Sequence, residues 1–189
     1  MSQKADDTAA VQSAINACAS GGVTLLPANG TFLCLALALP SDASHTALQI
    51  DGILRFNDDM SKWSPKMDHP YQLVLAGDNI VLTGKGTVDG QGAAWWPCAK
   101  AGCWRPGLVY SHDVDSLLIN GGLTFENSPN HNLELYASPF EVTNISIFAP
   151  PSTDVKLESH NTGTIHVSEC DGAGRIRTEE DVFHLGIYH

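Results

Sequence analysis

Adjacent carboxylates have the clearest chemical potential in this sequence, because two carboxyl groups can divide general acid and general base catalysis between them. They occur at Asp6-Asp7, at Asp58-Asp59 and in the run Glu179-Glu180-Asp181. Each group also has a structural explanation. The first pair precedes a helical pattern and can cap it, the second lies in a polar turn, and the third is typical of a solvated face. We therefore favour structural roles for all three.

Cysteine is the other residue type that could do chemistry here. The five cysteines are Cys18, Cys34, Cys98, Cys103 and Cys170. None has CxxC spacing or a His at zinc-finger spacing, so we predict no metal ion, and nothing in the sequence indicates a cofactor. Cys98 and Cys103 flank a short Ala-Lys-Ala-Gly loop that a disulfide could close. Cys18 could then pair with Cys34, which leaves Cys170 unpaired; the alternative is that all five thiols are reduced.

The elements that position these residues are one helix and many short strands. Apolar residues after Asp7 recur at helical spacing until Gly21-Gly22, which predicts a helix over residues 7–19. From residue 23 onward, short β-rich runs alternate with Gly, Asn, Asp and Pro, and no second helix is predicted.

A repeated strand group organises the β-rich part of the chain. Leu108-Val109-Tyr110 is followed 25 residues later by Leu133-Glu134-Leu135, and a second apolar run follows each. A similar unit begins at Leu73, with about ten surplus residues within 91–106. This period predicts an all-β parallel β-helix with the N-terminal helix as a cap. The alternative is an antiparallel sandwich, which Asn-Gly and Asp-Gly turn signals would suit.

Three segments resemble glycoside hydrolase family 28, the polygalacturonases and their relatives. They are the opening from Asp6 to Ile15, the glycine-rich run from Gly84 to Trp96, and the run from Gly122 to Asn132. The resemblance implies a right-handed parallel β-helix. It also implies a pectin or polygalacturonate substrate, whose α-1,4-galacturonosyl bonds are hydrolysed with inversion. Inversion needs a protonated carboxyl for the leaving oxygen and a second carboxylate for water.

The resemblance also transfers site residues, with one departure. Family members carry Asn-Thr-Asp where this chain has Asn161-Thr162-Gly163, and an Asp-Asp pair on the next coil. We therefore predict no intact catalytic acid, with Asp154 as a weak substitute. Asn161 and Thr162 are predicted to bind substrate.

Two further substrate ligands are predicted from the resemblance. His131 stands where family members carry an aromatic or His residue near the cleft. Arg177, in an Arg-Ile-Arg-Thr run, resembles a ligand of the substrate carboxylate, although its closeness to Gly163 favours a chance match. Trp95-Trp96 could stack on a sugar, but we favour packing in the wall.

Charge and composition limit the partners. A formal charge of −11 and the absence of a long apolar run argue against nucleic acid and membrane, and suit an acid-operating enzyme. Sequons at Asn29 and Asn144 favour glycosylation and secretion to the extracellular space, although the chain's start lacks the apolar core of a signal peptide. A plant inhibitor protein is a further expected partner, and the soluble form is expected to be a monomer.

The length suggests a single domain over 1–189, comprising the helix, family-like coils over 23–163 and a divergent tail over 164–189. We expect the N-terminal half of a family protein, C-terminally incomplete and inactive alone. The alternatives are a non-catalytic protein that binds pectin or an inhibitor, and a structural fragment without function.

Overall fold

The computed structural model describes residues 6–67, 70–99, 101–148, 165–167, 174–177 and 185–187. Two α-helices are described, α1 (Thr8–Ala17) and α2 (Trp96–Ala99), together with short 3-10 helices at Met60–Lys62 and Gly92–Ala94. The strands are β1 (Val23–Leu26), β2 (Thr31–Cys34), β3 (Leu37–Ala38), β4 (Ser44–Ile50), β5 (Ile53–Phe56), β6 (Tyr71–Thr83), β7 (Thr87–Asp89), β8 (Gly107–Ile119), β9 (Thr124–Glu126), β10 (Leu133–Ala137), β11 (Phe140–Thr143), β12 (Ser146–Phe148), β13 (Ile165–Val167), β14 (Gly174–Arg177) and β15 (Leu185–Ile187).

Every described strand pairing is parallel, and successive pairings stack one coil on the next. One column of paired residues shows the stacking: it contains Leu37, Leu73, Val109, Leu133, Ile165 and Leu185. The chain is therefore a parallel β-helix, which confirms the predicted fold class and shows that the antiparallel alternative is wrong. The described part of the expected tail, from residue 165, adds β13, β14 and β15 to the same solenoid.

Each coil has three faces. Face I consists of β3, the first halves of β6 and β8, β10, β13 and β15. Face II consists of β1, β4, the second halves of β6 and β8, β11 and β14. Face III consists of β2, β5, β7, β9 and β12. The register of β6 and β8 shifts between Leu75 and Gly77, where face I bends into face II. A Cβ at Gly77 would lie 2.2 Å from the Ala43 carbonyl oxygen, so the bend requires glycine.

The core confirms the repeat but corrects its register. Val109, not Leu108, pairs with Leu133. A shift of one residue exchanges the two sides of a strand, so this correction decides which side chains face outward. Leu108 and Val109 are both fully buried. Their hydrophobicity alone therefore could not distinguish the two registers.

Helix α1 covers the first coil and is shorter than the predicted 7–19. Val11 and Ile15 are buried against the core. The Gln12 amide pairs with both backbone groups of Ala38, accepting from its N–H at 3.0 Å and donating to its carbonyl at 2.7 Å. The Asp7 carboxylate accepts from the Leu33 N–H at 3.0 Å rather than capping the helix. The cap therefore satisfies polar groups of an otherwise open strand edge.

The segment 91–106, which contains the residues inserted into the repeat, is partly helical. The sequence pattern did not predict this. The segment contains the second 3-10 helix and α2. Among the described residues, no helix has the length and apolarity needed to cross a membrane.

Candidate functional site

Half-exposed aromatic and ionisable side chains gather on face I. Tyr110, Glu134 and His166 occupy equivalent positions on three successive coils, next to the buried column of Val109, Leu133 and Ile165. Alternation along each strand turns the two columns to opposite sides of the sheet. We define the face I cluster as Tyr71, Tyr110, His112, His131, Glu134, Tyr136 and His166.

Ring contacts hold the tyrosines of the cluster together. The Tyr71 and Tyr110 rings stack, with centroids 4.3 Å apart and planes 9° from parallel. Tyr136 meets Tyr110 edge to face at 5.5 Å. The Tyr71 hydroxyl donates to Oε2 of Glu134 at 2.8 Å. Gly107 makes room for this arrangement, because a Cβ there would lie 2.6 Å from the Tyr71 ring.

The hydroxyl groups of Tyr71 and Tyr110 stay protonated at physiological pH. Burial raises the pKa of Tyr71, and its hydrogen bond to Glu134 raises it further. Burial also raises the pKa of Tyr110, with a smaller contribution from Tyr136. Both residues therefore offer neutral rings and hydroxyl groups to a ligand.

His131 lies two residues before β10, against the next coil. Its ring centroid is 4.2 Å from that of His166. Burial lowers the pKa of His131, and the neighbouring His166 lowers it further, which favours the neutral imidazole. His131 Nδ1 is buried and has no hydrogen-bond partner among the described residues.

A pocket of about 370 Å³ adjoins His131, and we call it the arginine pocket. Its walls include Tyr71, Trp104, Arg105, Asn130 and His131. Arg105 is 8% exposed, and its guanidinium donates to the Pro129 carbonyl and, at 3.2 Å, to Asn130 Oδ1. Burial lowers the pKa of Arg105, but a guanidinium stays charged across the physiological range. Among its described lining residues, the pocket therefore contains one guanidinium group beside neutral rings.

A larger groove of about 920 Å³ lies where face I bends into face II, and we call it the acidic groove. Its walls include Asp42, Asp78, Asp113, Asp115, Tyr110 and Tyr136. Tyr71 lines the arginine pocket and Tyr110 lines the groove, so the stacked pair separates the two spaces by a single ring contact. The two spaces therefore adjoin at this ring pair, with a guanidinium group in one and carboxylates in the other.

The predicted site residues fall into three groups. Asp154, Asn161, Thr162 and Gly163 lie outside the described residues, as does the acid run 179–181. His131, in contrast, belongs to the coil whose β10 pairs with β13, and β13 begins three residues after Thr162. Arg177 ends β14 on face II, opposite Thr143. The structure therefore does not bring the Arg177 backbone to the His131 end of face I.

The other chemical candidates have structural roles. Trp95 and Trp96 are 1% and 4% exposed, and Trp96 Nε1 donates to the Ser128 carbonyl at 3.0 Å, so both pack rather than face a ligand. Asp59 accepts from the Ser61 N–H at 3.1 Å and caps the first 3-10 helix. The described residues contain no cluster of His, Cys, Asp or Glu that could hold a metal ion.

The cysteines divide into one disulfide and two free thiols. Cys98 and Cys103 are joined, with Cα atoms 5.6 Å apart, beside the arginine pocket. Cys18 and Cys34 are not bonded to each other, so the suggested pairing was wrong. Burial raises the pKa of Cys34 to about 12, which makes that thiol unreactive. Cys170 lies outside the described residues.

Most residues of the face I cluster were not predicted from the sequence. Tyr110 and Glu134 were treated as members of apolar repeats, and the one-residue register error hid their shared column. The alternation in Leu133-Glu134-Leu135-Tyr136 is the signal that could have identified them.

The chain is similar to known proteins over most of its length. The model of the family described as "Glycosyl hydrolases family 28" matches residues 19–179. An exopolygalacturonase of Zea mays is 31% identical over 89% of this chain and 41% of its own length. A probable endo-xylogalacturonan hydrolase A of Aspergillus oryzae is 26% identical over 81% of this chain and 40% of its own length. The chain thus spans about two fifths of these curated relatives.

The solved structures agree on the fold. A polygalacturonase from Erwinia carotovora ssp. carotovora has a TM-score of 0.74 at 19% identity, over 97% of this chain and 58% of that one. A hyperthermoactive exopolygalacturonase from Thermotoga maritima has a TM-score of 0.66 at 18% identity, over 96% of this chain and 51% of that one.

Proposed function

Because this chain belongs to glycosyl hydrolases family 28, we propose that it binds the galacturonan backbone of pectin along face I. The observation that carries the proposal is the face I cluster. Its rings and hydroxyl groups lie beside two concave spaces, on the coil next to the strand that follows Asn161-Thr162. Concave surfaces with rings and a few polar groups are typical of ligand sites.

The catalytic part of the proposal concerns one missing carboxyl group. Inverting hydrolysis needs two carboxyl groups, and Gly163 stands where the family motif has the first acid. The second family pair is expected one coil later. In the sequence the run Glu179-Glu180-Asp181 ends four residues before β15, and β15 pairs with β13. We therefore propose this run as the counterpart, in place of the solvated role that its composition favours. On this view the chain binds galacturonan without hydrolysing it, because Gly163 has no carboxyl group.

Restoring the carboxyl group tests this view. Reducing-end release from polygalacturonate is measured at mildly acidic pH for the wild type, Gly163→Asp and the uncharged control Gly163→Asn. We expect the wild type and the Asn variant to match the blank, and the Asp variant to exceed it by about 100-fold, the lower end of what a positioned acid contributes. Adding Asp181→Asn to the Asp variant should abolish the gain.

Binding is measured separately by affinity electrophoresis in gels that contain polygalacturonate. Retardation of the wild type without turnover supports the proposal, and it is also the behaviour of a non-catalytic pectin-binding protein. Turnover by the wild type would refute the inactivity. A chain that migrates identically with and without polymer would refute the binding function itself.

Secretion and glycosylation complete the proposal. Asn29 and Asn144 are exposed, and both lie in turns that lead from face II to face III, so glycans there would leave face I open. The disulfide between Cys98 and Cys103 suits an oxidising compartment. Expression in a secreting eukaryotic host should give a product whose mass falls on treatment with an N-glycosidase; an unchanged mass would contradict the glycosylation.

A further inference from the structure

The acidic groove has the size and walls of a ligand site. Its volume of about 920 Å³ falls within the range of small-molecule pockets. Tyr110 and Tyr136 form an aromatic corner, with ring planes 67° apart. The hydroxyl groups of Ser44 and Ser138 belong to residues of the same wall. Such a corner suits a compact ligand with an apolar face and several hydroxyl groups.

The charge of the groove restricts that ligand. Asp42 comes from the turn before β4, Asp78 from β6, and Asp113 and Asp115 from β8. β10 contributes Tyr136 and Ala137 but no ionisable group other than the tyrosine.

No lysine or arginine occurs among the described lining residues, and the cationic candidates near the carboxylates are imidazoles. His45 Nδ1 lies 3.9 Å from Asp78, and His112 Nδ1 lies 3.2 Å from Asp113. At neutral pH the groove is therefore strongly negative.

We propose that the acidic groove is a subsite for an uncharged sugar of the bound polymer, namely a methyl-esterified galacturonate, and that its carboxylates reject the ionised form. This inference rests on the proposed galacturonan binding. Sugar hydroxyl groups can donate charge-assisted hydrogen bonds to the aspartates. An ionised uronate would meet like charges there, and such repulsion is a common source of specificity.

The proposed subsite adjoins the arginine pocket, which has the opposite charge. The stacked pair of Tyr71 and Tyr110 forms the boundary between a space that contains a guanidinium and a space that contains four carboxylates. One polymer crossing this boundary would carry different charge states on its two sides. The surface therefore fits partly esterified pectin better than fully ionised polygalacturonate.

The test compares two polymers of equal length, polygalacturonate and its partly methyl-esterified form (the ester), at neutral pH and low salt. Dissociation constants are measured by calorimetry for the wild type, Asp113→Asn and the control Asp58→Asn. The Asp113 side chain is 96% exposed, and its described hydrogen bond is to His112, so the variant should fold normally. Asp58 is also exposed but lies outside the groove lining. Thermal unfolding checks that all three proteins are folded.

We expect the wild type to bind the ester more tightly. Asp113→Asn should bind polygalacturonate about threefold more tightly than the wild type, the effect of one exposed charge pair. It should bind the ester no more tightly than the wild type does, because it replaces a charged hydrogen-bond acceptor with a neutral one. High salt should remove this gain, and Asp58→Asn should show no gain. Equal affinity for both polymers in every protein would overturn the uncharged-sugar subsite and leave the proposed function intact. Failure to bind either polymer would overturn both. Displacement of the ester by a lysine-rich peptide would overturn the inference in favour of a cationic partner.

Discussion

Tyr110 is the centre of the face I cluster, and its removal should weaken both stability and binding. Its ring stacks on Tyr71 at 4.3 Å and meets Tyr136 at 5.5 Å and His112 at 5.6 Å. Tyr110→Ala removes all three contacts at once. Tyr110→Phe keeps the rings and removes only a hydroxyl group for which no hydrogen bond is described, so it is the matched control.

The expected loss of stability in Tyr110→Ala can be derived from these ring contacts. An aromatic pair contributes about 1 kcal/mol beyond its buried area, so three pairs give roughly 3 kcal/mol. Tyr110 is only half-buried and its neighbours can relax, which reduces the expected loss for Tyr110→Ala to about 2 kcal/mol. Tyr110→Phe should remain within about 0.5 kcal/mol of the wild type.

Urea unfolding followed by circular dichroism measures this difference. With a slope of about 3 kcal/mol per molar urea, a loss of 2 kcal/mol lowers the midpoint by about 0.7 M. Because Tyr110 also lines the acidic groove, Tyr110→Ala should weaken binding of methyl-esterified polymer about tenfold, the equivalent of 1.4 kcal/mol. The reasoning is refuted if the midpoint of Tyr110→Ala equals that of the wild type, or if Tyr110→Phe loses as much as Tyr110→Ala.

Two further predictions concern the cap and a carboxylate of face III. Gln12→Ala should lower the free energy of unfolding by about 2 kcal/mol, because Ala38 loses two hydrogen bonds; a melting temperature equal to that of the wild type would contradict the capping role. The pKa of Glu126 is raised, first by burial and then by Asp89, so the unfolded chain deprotonates before the folded one as pH rises. The free energy of unfolding should therefore fall from mildly acidic to neutral pH. In Glu126→Gln the free energy of unfolding should fall less between these two pH values, as measured by thermal melts at each. A fall as large as that of the wild type would contradict the role of Glu126.

The fold could be predicted because its determinants are local and repeated. Apolar runs recur once per coil, and each coil needs a neighbour to bury its inward residues, so the period itself indicates a solenoid. The helix at residues 8–17 was predicted for a similar reason, since its apolar positions follow its own period. Its hydrogen bonds to β2 and β3 could not be predicted, because they join groups about 26 residues apart.

The site was harder to predict because it depends on register. Val109 and Leu108 are both apolar, so the sequence repeat could be aligned in either of two ways. Only the tertiary pairing of Val109 with Leu133 puts Tyr110, Glu134 and His166 in one column. His131 could be proposed from the resemblance alone, but its contact with His166 requires two adjacent coils.

Residue order alone predicts the architecture, the family and the departure from the family motif at Gly163, because each of these is read along the chain. The tertiary structure decided which residues share a surface. It buried Trp95 and Trp96, left Cys18 and Cys34 unjoined, and set the stacked tyrosines between a guanidinium and four carboxylates. The physical reason is that a parallel solenoid brings together residues one coil apart. A shift of a single residue between coils changes which side chains meet.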